Sequence, residues 1–393
     1  MDGGRPGTRC GGGHGRWLSI HSTRQRQDRH ASGVAVPHID RGHGPHPHGI
    51  NSPMMDSQTN HVMVVMPSWV GDVVMATPAL RLLRSQFKQS RITAVTRPGL
   101  SSLLCGLTTI DDCLEVDPKG LLGLLKAGRL LAANRPDQTV LLPNSMRSAL
   151  LTFLSRAGKR SGFRRQGRGF ILTQAIEPGT REAGIRTTLD EYIQLIEGCT
   201  DATFSGSRTP ELAVTEVERT AAGEILPLEG DGFVVMVPGA NRLDKRWPAD
   251  RFARVAERLA HEHGLRIAVT GSPAEAPLVK EIVDEAQCPI IDLASKGGGL
   301  GALKAILQAA CLVITNDTGP RHVAAALGTP VVSLFGPTDH RWTILPGIAE
   351  HRLLAEPFLP DVMTADKCTQ VCRIDRITVE DVASAAESLL ASD

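Results

Sequence analysis

From Val62 onward, short apolar, β-branched runs alternate with amphipathic stretches of helical period, and they do so in two series. That alternation restricts the chain to parallel βαβ units. A strand covered by helices on both faces reads as a continuous apolar run, and HVMVVM, RITAVT and QTVLLP are of that kind. ALRLLRSQF and GLLGLLKAGRLLAANR lie between them as helices. The second series holds GFVVMVPG, LRIAVTG, CLVIT and TPVVSLFG. The expected fold is α/β, with two doubly wound parallel units and a ligand crevice outside the carboxyl ends of their strands. At 393 residues, 41% of them hydrophobic, the chain is long enough and apolar enough to fill two cores.

The boundaries follow from composition. Residues 1–53 are rich in Gly, Arg, His, Ser and Pro and hold seven of the 13 histidines, with no apolar periodicity. Such a stretch cannot bury enough surface to offset its ordering entropy, so it reads as a disordered tail or as the product of a start codon taken too early, with Met54 or Met55 as the natural start. Residues 54–225 form the first expected domain and 226–393 the second, joined by the polar segment Asp201–Asp231, whose one apolar stretch is ELAV. The terminal helix VEDVASAAESLLAS is expected to pack back across both domains. No apolar run approaches the roughly 18 residues of a membrane span, so any membrane contact is expected to be peripheral. The eight cysteines are scattered, and the CxxxC spacing of Cys368 and Cys372 fits no common zinc or redox motif. They read as reduced thiols.

The stretch from Cys311 to Leu327 passes from a buried strand through a polar loop into an apolar helix. A helix N-terminus presents unpaired N–H groups and a positive dipole end, which suits an anion such as a diphosphate. Asn316, Asp317, Thr318, Gly319 and His322 occupy that loop, although Asp317 or Thr318 would also serve as a plain helix cap. MPSWVGD delivers Ser68, Trp69 and Asp72 to the carboxyl edge of the first strand. A carboxylate there can take a proton from an attacking sugar hydroxyl, and it can equally cap the following helix. VVMVPGANRLDKRW brings Gly239 and Asn241 to the matching edge of the second domain, followed by Lys245 and Arg246. These cations could neutralise a departing diphosphate, or Lys245 could pair with Asp244 or Asp250. In VTGSPAEAPLV, Gly271 and Ser272 end another strand, and Glu275 is placed either to accept from ribose hydroxyls or to occupy a first helical turn. No DxD-like acidic pair stands at a strand end, which favours fixed cations over a metal.

Charge is uneven as well. Arg147, Arg156, Lys159, Arg160, Arg164, Arg165 and Arg168 fall within 22 residues that contain no acid. This run is a candidate landing patch for an anionic substrate or a membrane surface, or else a solvated basic face. Only Phe153 and Phe163 interleave it, which argues against nucleic acid.

PSWVGD, LLPNSMRSAL, PGANRLDKRWP, NDTGPRH and FGPTD occur in an order that resembles the bacterial ADP-heptose:lipopolysaccharide heptosyltransferases, and PSWVGD and LPNS are similar to the type II branch. The resemblance runs from about Met63 to the C-terminus. It implies a GT-B fold, two facing Rossmann-type domains with the active site in the cleft between them, and metal-independent, inverting transfer of L-glycero-D-manno-heptose from ADP-heptose to the first heptose of the inner core on Kdo-lipid A. It also implies no cofactor beyond the sugar nucleotide and a place at the cytoplasmic face of the inner membrane. Asp72 matches the family's base and Lys245 its diphosphate-binding lysine. Asp317, Thr318, Gly319 and His322 match its donor loop, and Glu275 more loosely its ribose or adenine contact. The acceptor is expected near Ser68, Trp69, Asn144, Arg147, Arg164 and Arg165. Arg321 stands where relatives commonly carry an apolar residue, and is expected either to touch phosphate or to face solvent. A transferase acting on Kdo or another surface glycan, a sugar-nucleotide epimerase on the same frame and a noncatalytic sugar-nucleotide binder are the competing readings. An epimerase would turn over donor with no acceptor present.

Overall fold

A computed structural model describes residues 59–179, 186–228, 230, 232–355 and 372–391, so the expected N-terminal tail and Cys368 lie outside the described residues. The first half runs β1 (His61–Val65), α1 (Val70–Met75), α2 (Thr77–Gln86), β2 (Arg91–Thr96), α3 (Ser101–Leu104), β3 (Asp112–Glu115), α4 (Gly120–Ala133), β4 (Gln138–Leu141), α5 (Met146–Leu154), β5 (Lys159–Phe163), β6 (Gln174–Ile176) and α6 (Thr188–Thr200). The second runs α7 (Glu216–Ile225), β7 (Phe233–Val237), α8 (Ala249–His263), β8 (Arg266–Val269), α9 (Ala276–Glu285), β9 (Ile290–Asp292), α10 (Gly299–Ala309), β10 (Leu312–Asn316), α11 (Gly319–Ala326), β11 (Val331–Phe335), β12 (Glu350–Leu354) and α12 (Val379–Leu390).

Each half builds one six-stranded sheet, ordered β3-β2-β1-β4-β5-β6 and β12-β11-β10-β7-β8-β9, and every pairing is parallel. Counted from its own first strand, each sheet has the same doubly wound order. The winding reverses between β1 and β4 and again between β7 and β10, and at such a switch point the loops leaving adjacent strands diverge and open a crevice at their carboxyl ends. The central strands β1, β7, β10 and β11 are buried along their full length. This is why they read as unbroken apolar runs.

Three apolar clusters fill the layers. One packs Met63, Leu131 and Leu151 under α4 and α5, and a second packs Val234, Phe252 and Val382 under α8 and α12. The third is continuous across both halves, joining Val64, Leu80 and Ile193 to Phe233, Ala305 and Val323. The seam is also polar in places. The buried Lys304 of α10 donates to the carbonyls of Ser102 (2.8 Å) and Cys105 (3.2 Å) in the first half and pairs with Glu218 of α7 at 2.9 Å. Arg81 of α2 pairs with Glu211 at 2.9 Å and donates to the Thr209 carbonyl.

Two expectations change. The polar segment Asp201–Asp231 carries helix α7, started by a capping box in which Thr215 and Glu218 satisfy one another's backbone N–H groups. α7 lies against α10. Residues 211–214, the ELAV stretch, form no strand. The terminal helix α12 packs on α8, β10, β11 and β12, so its buried face closes the outer core of the second half instead of bridging the two.

Candidate active site

The two switch points face one another, and a cleft of about 710 Å³ lies between them. On the first side, β1 ends at Val65 and the chain turns through Ser68 and Trp69 into α1. Asp72 stands in the first turn of α1, and burial pushes its carboxyl up to about 6. Behind it, burial and then the Asp72 charge hold the phenol of Tyr192 well above its ordinary range. Trp69, the extended N-cap of α1, is 65% exposed at the rim of the cleft.

α1 meets α11 at two glycines. A Cβ at Gly71 would lie 2.6 Å from Cδ2 of His322, and one at Gly319 would lie 2.7 Å from Cβ of Val70. No side chain larger than hydrogen fits either position without movement. His322 is buried against this contact, and burial, reinforced by the neighbouring Arg321 charge, keeps its imidazole neutral well below the usual range. Its Nδ1 is buried with no hydrogen-bond partner among the described residues, and the residue is part of the cleft lining. A buried polar atom left unpaired in a finished fold calls for a ligand or water.

On the second side, β7 leads through Pro238 and Gly239 into a 3-10 turn, Leu243–Lys245. Two contacts hold this loop. Trp247 is buried edge-on to Phe252 and donates its indole N–H to the Ile377 carbonyl at 2.9 Å. Asn316, at the end of β10, donates to the Pro238 carbonyl at 2.7 Å and accepts from the Trp247 amide at 3.3 Å. Lys245 is thereby aimed at Asp317, Nζ to Oδ2 3.5 Å, with both side chains largely buried. At that separation the ammonium is attracted but not saturated, and it keeps donors for a ligand. Asp317 is also 3.6 Å from Arg321, so the carboxylate is shared by two cations. Lys245 does not use Asp244 or Asp250, which pair with Arg242 and Arg254. Arg246 turns away and donates to the Ala240 carbonyl.

Glu275 closes the far side. One carboxylate oxygen accepts from the amide and hydroxyl of Ser272 (2.8 and 2.7 Å), and the other packs over Gly239, where a Cβ would be 2.2 Å from Oε1. Beyond it an apolar wall of Leu293, Ala294, Leu300 and Leu303 lines the cleft. Sequence reasoning missed this wall. Its signal was the run Gly297-Gly298-Gly299, whose φ values of 73°, 107° and 68° let the chain turn sharply into α10.

Trp69, Asp72, Gly239, Asn241, Lys245, Gly271, Ser272, Glu275, Asp317, Thr318, Gly319 and His322 all line this one cleft. The remaining expected acceptor residues do not. Ser68 and Arg147 line a separate cavity of about 300 Å³ beside Arg97 and Lys119. Asn144 accepts from the buried Arg168 at 2.9 Å, Arg165 is paired in bidentate fashion with Glu191, and Arg164 pairs with Glu177 at 3.0 Å. The expected basic patch is therefore partly spent on internal contacts. Arg321 is a correction. It is fully buried, stacks on Phe335 at 4.9 Å and forms a two-point ion pair with Glu350 (2.6 and 3.1 Å), so it neither faces solvent nor reaches the cleft. Among the described residues the one metal-like cluster is Glu262, His263 and Glu387, which lies outside the cleft and already embraces Arg258.

Two doubly wound sheets with the candidate site between their carboxyl edges define a GT-B-type glycosyltransferase frame. The profile of glycosyltransferase family 9 (heptosyltransferase) matches residues 124–353, more than half of the chain, and the chain belongs to that family. Lipopolysaccharide heptosyltransferase 2 of Escherichia coli (strain K12) is 30% identical over 299 residues, covering 72% of this chain and 84% of that protein. Among solved structures, the ADP-heptose lipopolysaccharide heptosyltransferase II of E. coli superposes with a TM-score of 0.72 at 25% identity, over 84% of this chain and 99% of that one. A family 9 glycosyltransferase of Veillonella parvula superposes with a TM-score of 0.74 at 25% identity, over 86% and 99%.

Proposed function

We propose that this protein transfers L-glycero-D-manno-heptose from ADP-heptose, with inversion and without a metal, to the first heptose of the lipopolysaccharide inner core. The relatives named for heptosyltransferase 2 support the donor and the acceptor. One observation carries the chemistry: Asp72, its carboxyl raised by burial, shares a cleft with the Lys245–Asp317 pair and the N-terminus of α11. ADP lies on the second half, its base against Leu293 and Leu300, its ribose near Glu275 and its diphosphate between Lys245 and the N–H groups opening α11. The acceptor hydroxyl enters from the first half. Asp72 takes its proton as the oxygen bonds to the anomeric carbon, the bond from that carbon to the diphosphate oxygen breaks, and ADP departs with the electron pair. Attack from the face opposite the leaving group inverts the anomeric centre. Lys245 and the α11 dipole stabilise the charge that develops on the leaving oxygen. His322, which lines the cleft and whose Nδ1 has no partner among the described residues, is the donor-side contact that substrate would complete.

The enzyme works at the cytoplasmic face of the inner membrane, in peripheral contact with it. No helix among the described residues is long and apolar enough to cross a membrane. The test is ADP release from ADP-heptose with Kdo-lipid A that carries one heptose or none. Release only with the heptose-bearing acceptor is expected. Release only with the bare one makes this a first-heptose enzyme, and turnover with neither acceptor present sinks the transfer reading.

A further inference from the structure

α4 and α5 cover the face of the first sheet opposite the one that shares its core with the second half. Their outward sides are not the polar sides such helices usually present. Leu121 and Leu122 are 72% and 74% exposed and Phe153 is 56% exposed, with Leu125 and Leu150 also open to solvent. The two helices touch at Gly128, where a Cβ would lie 2.4 Å from Cβ of Leu154. Leu121 and Leu125 fall on the helical line that leads to Gly128, with Leu122 one position round the helix, so exposed apolar side chains on both helices make a ridge.

Exposed cations surround the ridge. From Lys119 to Arg156 the chain has six basic residues, all exposed, and a single acid, Asp137, and that carboxylate accepts from the backbone N–H groups of Asn60 and His61. Among the described residues no carboxylate is within ion-pair distance of Lys126, Arg129 or Arg156. A second copy of this chain fits poorly, because a two-fold contact would set these cations against themselves. A convex ridge of leucine with cations at its flanks matches the layering of an anionic bilayer, apolar groups at the acyl boundary and positive charge at headgroup depth.

We infer that the α4–α5 ridge docks this protein on an anionic lipid bilayer, with Leu121 and Leu122 entering the acyl boundary and Lys126 and Arg129 at the headgroups. The inference deepens the proposed function, since a lipid-linked acceptor must be met at a membrane, but the surface argument holds without it. Lys119 and Arg147 line the smaller cavity at the N-terminal ends of the same two helices, which sets the mouth of that cavity beside the docked face.

Flotation of the full chain with vesicles of phosphatidylcholine, alone or mixed with phosphatidylglycerol, tests it. Binding to the mixed vesicles is expected, and both L121S/L122S and K126E/R129E should lower partitioning by about tenfold or more. ADP release with a water-soluble, deacylated acceptor should stay at the wild-type level in both variants, which separates failure of docking from failure of the heptosyltransferase reading. The inference is overturned by equal binding of wild type and L121S/L122S, by no binding to either vesicle, or by a lipid-free dimer that L121S/L122S abolishes.

Discussion

The imidazole of His322 packs directly on the backbone of Gly71, leaving 2.6 Å where a Cβ would have to go. Gly71 does not need left-handed backbone freedom, as its φ is not positive. Its role is purely spatial. Gly71→Ala should therefore cost about 1–3 kcal/mol through overpacking and displace His322 from the cleft. Urea unfolding would read the first effect and calorimetric titration with ADP the second. Unchanged ADP affinity would mean that His322 does not touch the donor.

As the proposed base, Asp72 should set the acid side of the pH profile. Its carboxyl is raised to about 6 by burial, so kcat/KM should fall as pH drops through about 6, where the base becomes protonated. The sign for stability is opposite. Between the ordinary carboxylate range and about 6 the folded state holds a proton that the unfolded chain has released, so ionising Asp72 at higher pH costs stability. Asp72→Asn should therefore be nearly inactive at pH 8, with stability equal to or above wild type. A variant with wild-type turnover would exclude Asp72 as the base.

Lys245 should matter to the leaving group more than to the fold, because its ion pair is long and the loop is held by Trp247 and Asn316. Lys245→Ala is expected to lower kcat by about 10²–10³-fold with little change in melting temperature. Asp317→Asn should have a smaller effect on kcat and raise the KM for the donor, since the loop held by Trp247 and Asn316 still places the lysine at the cleft. Steady-state kinetics with varied ADP-heptose distinguishes the two.

Arg321 and Glu350 form a buried pair, so losing one partner should be worse than losing both. Arg321→Met leaves a carboxylate that is 5% exposed with the Ser333 hydroxyl and, at 3.8 Å, the half-exposed Arg352 as its remaining partners, and should destabilise by up to about 3–5 kcal/mol. Arg321→Met combined with Glu350→Gln should recover much of that loss. A double-mutant cycle in urea measures the coupling, and simple additivity would show that the pair is not coupled.

What the sequence disclosed follows burial. β1, β7, β10 and β11 are covered on both faces and were legible as apolar runs, as was the αβ alternation that implies two doubly wound sheets. The edge strands β3 (DCLE) and β12 (EHRLL) are half-wet and carry charges, and β5 opens with Lys-Arg, so neither alternation nor apolar continuity marked them. Helix α7 could have been found from Thr215 and Glu218, a capping-box spacing that the surrounding polar composition obscured. The positions of Asp317, Thr318, Gly319 and His322 at the cleft were legible because local strand–loop–helix grammar sets them. Pairings between distant segments were not. Nothing local announces that Lys245 will meet Asp317, 72 residues away, or that Glu350 will reach in from the outermost strand and bury Arg321.

The ammonium of Lys304 has consequences for motion. It crosses from one half to the other with its charge held by Glu218 and two carbonyls and no water access of its own. Pulling the halves apart there would break its two hydrogen bonds to the Ser102 and Cys105 carbonyls of the first half while the Glu218 pair stays within the second, at a cost of about 1.5–3 kcal/mol for each bond to the charged group. An opening of the cleft that keeps these two bonds is a swing about this point, in which residues nearest the pin barely shift and those at the far rim trace the widest arc. Trp69, standing at the rim, is a built-in fluorescent reporter of that arc.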